Sequence, residues 1–186
     1  MSRFTIKETP IKDLMVVERV ALEDERGFLS RLFCKEALQG AGWPWPIQQV
    51  NHTLTRKVGV VRGMHYQAPP KVEAKLVNCI RGAVWDVAVD LRRDSPTFLK
   101  WHAEEISAFN FKSMLIPPGF AHGFQAMCED SELIYFHSQA HDASCEQGLN
   151  PNDPILNILW PLKIAALSPM DAGRTFIDSR FQGVSL

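Results

Sequence analysis

Cysteine is scarce and scattered in this chain. Cys34, Cys79, Cys128 and Cys145 are the four in 186 residues, and no two form a C-x-x-C pair. That pattern suits a cytosolic protein with reduced thiols. Cys79 and Cys128 stand in apolar contexts and read as core residues. An excess of either charge is also missing: 20 Lys and Arg face 21 Asp and Glu, for a net charge of −1. Nothing therefore argues for nucleic acid or an anionic membrane as a partner, and a phosphate site would have to be built from local cations. No apolar run approaches the length of a membrane span. Residues 1–8, Met-Ser-Arg-Phe-Thr-Ile-Lys-Glu, have no apolar core of the kind a signal peptide needs. There is no G-x-S-x-G elbow, no glycine-rich phosphate loop, no dinucleotide fingerprint and no cysteine in a plainly activated setting. Repeats, low-complexity segments and an interdomain linker are lacking too, so one domain spanning residues 1–186 is expected.

Short apolar runs are what the chain does have, with turn residues between them and little helical periodicity. Strands are expected over Leu14–Val20, Gly27–Phe33, Ile47–Thr55, Gly59–Gln67, Ala74–Ile80 and Val84–Leu91. Four more are expected over Lys100–Ile106, Ser113–Ile116, His122–Met127 and Glu132–His137. Arg81-Gly82, Arg93-Asp94-Ser95-Pro96 and Pro117-Pro118-Gly119 supply the turns. The pattern predicts an all-β sandwich or barrel, with a short helix at Lys35–Gln39. The polar, proline-rich tail after Asn150 is expected to hold short helices that cover the barrel. Within Val84–Asp90 one face is Trp85, Val87 and Val89, and the other is Asp86, Ala88 and Asp90. The acid-bearing face would line either a wet cavity or the solvent.

The segment Gly59-Val-Val-Arg62-Gly63-Met-His65-Tyr-Gln67 carries the most chemistry. Arg62 and His65 are three residues apart, which on a regular strand puts them on opposite faces. A bulge at Gly63 would bring them onto one face. A cation beside an imidazole suits an anionic ligand next to a proton transfer; the competing reading is a barrel bend with a structurally satisfied histidine. General acid–base chemistry needs a group titrating near neutral pH, a partner to orient it, and an electrophile for the developing charge. His65 fits the first role, since imidazole titrates near ~6.5. Lys75 or Arg62 fits the last. Sequence order does not single out the orienting carboxylate.

Gly59 with His65, and then Pro117-Pro118-Gly119-Phe120-Ala121-His122, resemble the two motif halves of the cupin jelly roll. Metal-binding cupins use H-x-H, a downstream Glu and a final His. Here Gln67 replaces the second histidine, and the Glu position falls near Pro70–Lys71. Too few ligands remain for a metal, so a metal-free cupin fold is expected.

From about Glu23 to Asp171 the chain resembles the dTDP-4-dehydrorhamnose 3,5-epimerase family. The resemblance rests on Arg26-Gly27-Phe28, Gln49 with Asn51, Gly59–Gln67, Lys75-Leu76-Val77, Asp86–Arg92 and Ser95-Pro96-Thr97-Phe98. It continues through Ile116–Phe124, Asn152-Asp153-Pro154, Trp160-Pro161 and Leu167-Ser168 with Asp171. It implies a cofactor-free, homodimeric cytoplasmic enzyme. The substrate it implies is a nucleotide-diphosphate 4-keto-6-deoxyhexose, inverted beside its ketone during deoxysugar synthesis for cell-surface polysaccharide. It also implies roles: His65 as base, Asp171 as its carboxylate partner, and Lys75 stabilising the enolate oxygen. Arg26 and Arg62 would bind pyrophosphate, and Phe28, Gln49, Asn51 and His122 would help shape the substrate pocket.

Departures from the family cluster in one place. Relatives carry a segment like Tyr-Lys-x-x-x-Tyr-Tyr, whose tyrosine donates a proton to the second face of the enolate. Here the segment is Tyr135-Phe136-His137-Ser138-Gln139-Ala140-His141-Asp142, so the donor position falls on His141. Arg31 occupies a glutamate position of the family. Three readings follow: a 3,5-epimerase using His141, a single-carbon epimerase or one acting on a related 4-keto sugar, and a sugar-nucleotide binder without turnover. A cupin used only as a sensing or structural module gives Arg62, His65, Lys75 and Asp171 no reason to converge.

Overall fold

A computed structural model describes residues 3–186; Met1 and Ser2, the start of the N-terminal segment read above, lie outside them. In chain order the elements are β1 (Phe4–Glu8), β2 (Met15–Arg19), β3 (Ala21–Asp24), β4 (Gly27–Ser30) and α1 (Lys35–Gln39). Next come β5 (Gln49–Thr55), β6 (Val61–Gln67), β7 (Lys75–Arg81), β8 (Ala83–Asp90) and β9 (Trp101–Ser107). The last are β10 (Lys112–Ile116), β11 (Phe120–Ala126), β12 (Ser131–His137), β13 (Glu146–Gly148) and α2 (Pro169–Ala172). One sheet has the order β1-β2-β10-β7-β12-β5, a second β13-β6-β11-β8-β9, and β3 pairs only with β4. All pairings within these sheets are antiparallel. This is the expected all-β cupin jelly roll, a sandwich of two sheets.

The sheets are buried on both faces because alternate residues serve different cores. Val77, Cys79, Met114, Leu133 and Tyr135 of the first sheet meet Val84, Ala88, Phe120 and Phe124 of the second in the central core. Leu76 and Leu115 point the other way, onto Leu38 of α1 and Trp43. Val87 and Val89 also point outward, where Leu149, Leu156, Ile158 and Trp160 of the C-terminal tail cover them. The tail therefore covers the sandwich as expected, although α2 is its one helix among the described residues. Asp86 and Ala88 face inward, so the acid-bearing side of β8 lies between the sheets rather than in solvent. Cys79 is fully buried, and burial pushes its thiol up to about 11. Cys128, expected in the core, is only half-buried. No described helix is long and apolar enough to cross a membrane.

Three short strands escape the sequence reading. β1 is an edge strand whose only buried residue is Phe4, so it shows no alternation. β3 is largely exposed, and β13 has three residues. The run expected over Gly27–Phe33 stops at Ser30, because β4 has only β3 to pair with.

Candidate active site

The bulge expected at Gly63 is present. β11 pairs His122 with His65 and Phe124 with Arg62, so two steps on β11 match three on β6. Gly63 has φ +128, and a Cβ there would lie 2.9 Å from the His122 carbonyl oxygen, so the close crossing requires glycine. The added residue turns Arg62 and His65 to the same side, where both line a cavity of about 490 Å³ between the two sheets.

One wall of that cavity comes from the five-stranded sheet. His65 Nε2 lies 2.6 Å from Asp171 Oδ1. The carboxylate is 4 % exposed and the imidazole 38 %, so the acid is sealed while the ring still reaches the cavity. A carboxylate only accepts, so Nε2 carries a proton, and in the neutral ring Nδ1 has the lone pair. Asp171 is aimed by its own helix start. Ser168 caps α2, its Oγ accepting from the Asp171 amide at 3.0 Å, and Pro169 follows at the first helical position. Asp171 thus takes part in the cap through its backbone and holds His65 through its side chain. Beside His65, buried His122 sets Nε2 2.7 Å from Asp86 Oδ1. Arg62 donates to Thr55 Oγ1 at 3.0 Å and to the Leu54 carbonyl at 3.2 Å. Among the described residues no carboxylate pairs with it, so its charge is available to an anion.

The facing wall comes from β5, β7 and β12. Register puts His137 opposite both Lys75 and Gln49, and Tyr135 opposite Asn51. Lys75 is buried; its Nζ donates to the His65 carbonyl at 3.3 Å and pairs with Glu73 Oε1 at 3.2 Å. Glu73 also holds His137 Nδ1 at 2.9 Å. Burial works against the Glu73 charge, but Lys75 and His137 outweigh it and keep the carboxyl below its usual range. Tyr135 sits between His122 and His137, with ring centroids 5.9 and 6.1 Å away, and burial raises its phenol well above the ordinary value.

Arg62, His65, Lys75, Asp171, Asn51 and His122 therefore line one cavity, a convergence that a purely structural cupin would not need. Gln49 and His141 line a smaller adjoining one of about 170 Å³, which shares Asn51, His65, Lys75 and His137 with the first. There the Gln49 side chain accepts from the His141 amide at 2.9 Å, and His141 Nε2 lies 2.8 Å from Glu146. Arg26 and Phe28 line neither cavity. They sit on the β3–β4 hairpin, which pairs with no other strand; Arg26 bonds Asp24 and Phe28 is 60 % exposed against Phe111. Arg31 lies beyond the same hairpin, directed at Cys34 Sγ. Gln67, at the position of a cupin ligand, instead ties loops together: its amide donates to Lys71 and Ala140 carbonyls and accepts from the Asp142 amide. Among the described residues no three His, Cys, Asp or Glu side chains are grouped to hold a metal ion. Sequence reasoning passed over Glu73 and His137. The available signal was a charge two residues before Lys75 and a histidine within the segment that departs from the family.

Comparison with known proteins agrees with this geometry. The family model described as dTDP-4-dehydrorhamnose 3,5-epimerase matches residues 8–178. The dTDP-4-dehydrorhamnose 3,5-epimerase of Shigella flexneri is 39 % identical over 94 % of this chain and 97 % of its own length. The Legionella pneumophila dTDP-6-deoxy-D-glucose-3,5-epimerase, solved with dTDP-4-keto-L-rhamnose, superposes with TM-score 0.90 at 34 % identity, covering 98 % of this chain and 99 % of the other. A 3'-monoepimerase from Streptomyces bikiniensis, solved with dTDP-quinovose, gives TM-score 0.84 at 32 % identity, covering 90 % and 85 %. A two-sheet sandwich with a paired histidine and a buried lysine in its cavity, matched over nearly its whole length, belongs to the dTDP-4-dehydrorhamnose 3,5-epimerase family of isomerases.

Proposed function

We propose that the chain, working as one domain, epimerises a nucleotide-diphosphate-linked 4-keto-6-deoxyhexose of the dTDP-4-dehydro-6-deoxyglucose type at C3, C5 or both. The observation that carries this reading is the convergence of His65–Asp171, Lys75 and Arg62 on one cavity. Nδ1 of His65 removes the proton beside the ketone. The electrons move onto the ketone oxygen, and the Lys75 ammonium stabilises that charge more in the transition state than in the ground state. The unpaired Arg62 guanidinium suits the pyrophosphate, Asn51 and His122 border the sugar, and Gln49 and His141 stand at the adjoining pocket. No step needs a cofactor. The reaction belongs to deoxysugar synthesis for a cell-surface polysaccharide, and a cytoplasmic location fits a nucleotide-sugar substrate.

A second reading is inversion at one carbon only. It is favoured by the absence of tyrosine at Ala140 and His141 and by the likeness to a 3'-monoepimerase. Incubation with dTDP-4-keto-6-deoxyglucose in D₂O, followed by NMR, separates the readings. Deuterium at both C3 and C5 with inversion supports the first, and uptake at one carbon supports the second. Tight binding without uptake would leave a sugar-nucleotide binder.

The enzyme works as a homodimer in this proposal. Leu22, Phe28 and Leu29 leave the β3–β4 hairpin 43, 60 and 66 % exposed, an apolar surface that a second copy would cover. Since Arg26 and Phe28 do not line the cavity of their own chain, a substrate role for them requires a neighbouring copy to receive the hairpin. Sedimentation at micromolar concentration is expected to give twice the chain mass; a monomer would remove both residues from the substrate site.

A further inference from the structure

We propose that Glu73 is a positioning residue for the Lys75 electrophile: its carboxylate, anchored on His137, fixes the ammonium so that one N–H stays directed to the ketone oxygen. The inference rests on the epimerase reading above. Lysine is by itself a loose electrophile, a compact charge on a flexible four-carbon stem. Stabilising a developing oxyanion needs a donor that is in place before the charge appears. A lysine left free to swing would have to be ordered anew in every turnover.

The sequence places the anchor two residues before the lysine. On an extended chain that spacing puts both side chains on one side, and Glu73 Oε1 does lie 3.2 Å from Lys75 Nζ. Ala74, between them, is tied to the end of β12. Its amide donates to Ser138 Oγ at 2.8 Å, and its carbonyl accepts from the Ser138 amide at 3.1 Å. The Glu73 side chain therefore starts from backbone fixed next to the strand that carries His137. Its second oxygen, Oε2, lies 2.9 Å from His137 Nδ1, and His137 stands opposite Lys75 in the sheet register. Both carboxylate oxygens are thus engaged, and the side chain is 9 % exposed. With Oε2 held, the carboxylate cannot turn away from Lys75 without losing a bond to His137.

An ammonium has three N–H donors. Among the described residues Lys75 Nζ has two partners, Glu73 and the His65 carbonyl at 3.3 Å. The third donor is left for a ligand in the cavity that Lys75 and His65 both line. The bond to the His65 carbonyl also ties the electrophile to the strand that carries the base. Glu73 itself lines the smaller pocket and not the larger, so it acts through Lys75 rather than on the reacting atoms. Its charge has two opposed effects. As a neighbouring anion it weakens the field of Lys75 at the ketone, and its removal would then speed the reaction. As an anchor it holds the donor in place, and its removal then slows the reaction. Misplacing a reacting group by about 1 Å costs about a hundredfold. The second effect is therefore the one we assign, and the sign of the rate change tells the two apart.

The test uses the whole protein with dTDP-4-keto-6-deoxyglucose in D₂O and reads kcat and KM for deuterium exchange and for inversion. Glu73→Gln keeps the size of the side chain and removes its charge. Glu73→Asp keeps the charge and draws it back by one methylene. Each is expected to lower kcat for exchange and inversion together by about ten- to a hundredfold, with KM within about threefold of the parent. A kcat at or above that of the parent in Glu73→Gln overturns the assignment, because Glu73 would then only screen the lysine. A kcat within about threefold of the parent in Glu73→Asp overturns it too, because charge compensation alone would then suffice. Glu73→Asp retains a counter-charge for buried Lys75, so it decides the matter even where Glu73→Gln fails to fold. Glu73→Gln added to Lys75→Met should bring no further loss of exchange, since the anchor has no lysine left to hold. A second loss of about tenfold or more would show a role independent of Lys75 and overturn the assignment. A parent enzyme that neither exchanges nor inverts overturns the epimerase reading itself, which separates that failure from this one.

Discussion

His65→Asn should abolish both deuterium exchange and inversion, each by about ten-thousandfold, the upper end of what one general base contributes. Asparagine fills only the inner part of the ring's volume and does not reach Asp171 as Nε2 does, and it has no basic nitrogen to receive a proton from carbon. The loss should appear equally in kcat and kcat/KM, since the missing interaction forms only as the proton moves. Substrate binding should change little: Arg62, the cation suited to pyrophosphate, is held by Thr55 and Leu54 and does not depend on His65. A variant that still exchanges label within a hundredfold of the parent would exclude His65 as the base. The size of the effect follows from how completely the ring is committed. Nε2 is fixed by an acid that is 4 % exposed, so Nδ1 is the one nitrogen left to act.

His65 was legible in the sequence because its signal is local. The glycine before it, the arginine three residues back and the β-type residues around them were enough to predict a strand with a bulge. Lys75 was legible for a similar reason, as a charge interrupting an apolar run. Its burial could be suspected there, but not the partner that makes burial tolerable. Asp171 is 106 residues from His65 and reaches it from a one-turn helix that shows no periodicity. Only the family resemblance pointed to it. The pair Glu73–His137 is separated by 64 residues and meets because β7 and β12 are neighbours in the sheet. Sheet order is a long-range property, and no spacing rule along the chain reveals it. The acid-bearing face of β8 illustrates the same limit. Its alternation was plain, yet whether Asp86 faced water or a cavity depended on the tail covering Val87 and Val89.

Lys75→Met is expected to lower exchange and inversion together, by about a thousandfold. The reason is that proton removal and proton return pass through the same enolate. Removing one preorganised donor from a developing oxyanion costs about 10²–10³ in rate, and the upper value applies where the donor is a buried full charge. A thousandfold is about 4 kcal/mol at 1.36 kcal/mol per tenfold. Lys75 meets that condition: it is 7 % exposed, its Nζ is held by Glu73 and the His65 carbonyl, and it lines the cavity on the wall facing His65. The substitution also removes one of the charges that keep Glu73 ionised. Glu73 then leans on His137 alone, so the single variant carries a stability cost beyond its chemical one. Lys75→Met combined with Glu73→Gln separates the two effects. The double variant should recover stability in chemical unfolding while its exchange rate stays as low as that of the single variant. Recovery of exchange together with stability would mean that Lys75 serves the fold, and that the enolate is stabilised from elsewhere in the cavity. The pattern differs from that of His65→Asn, which removes the proton acceptor without touching the oxygen's partner. Two substitutions on facing walls thus assign base and electrophile from one isotope experiment.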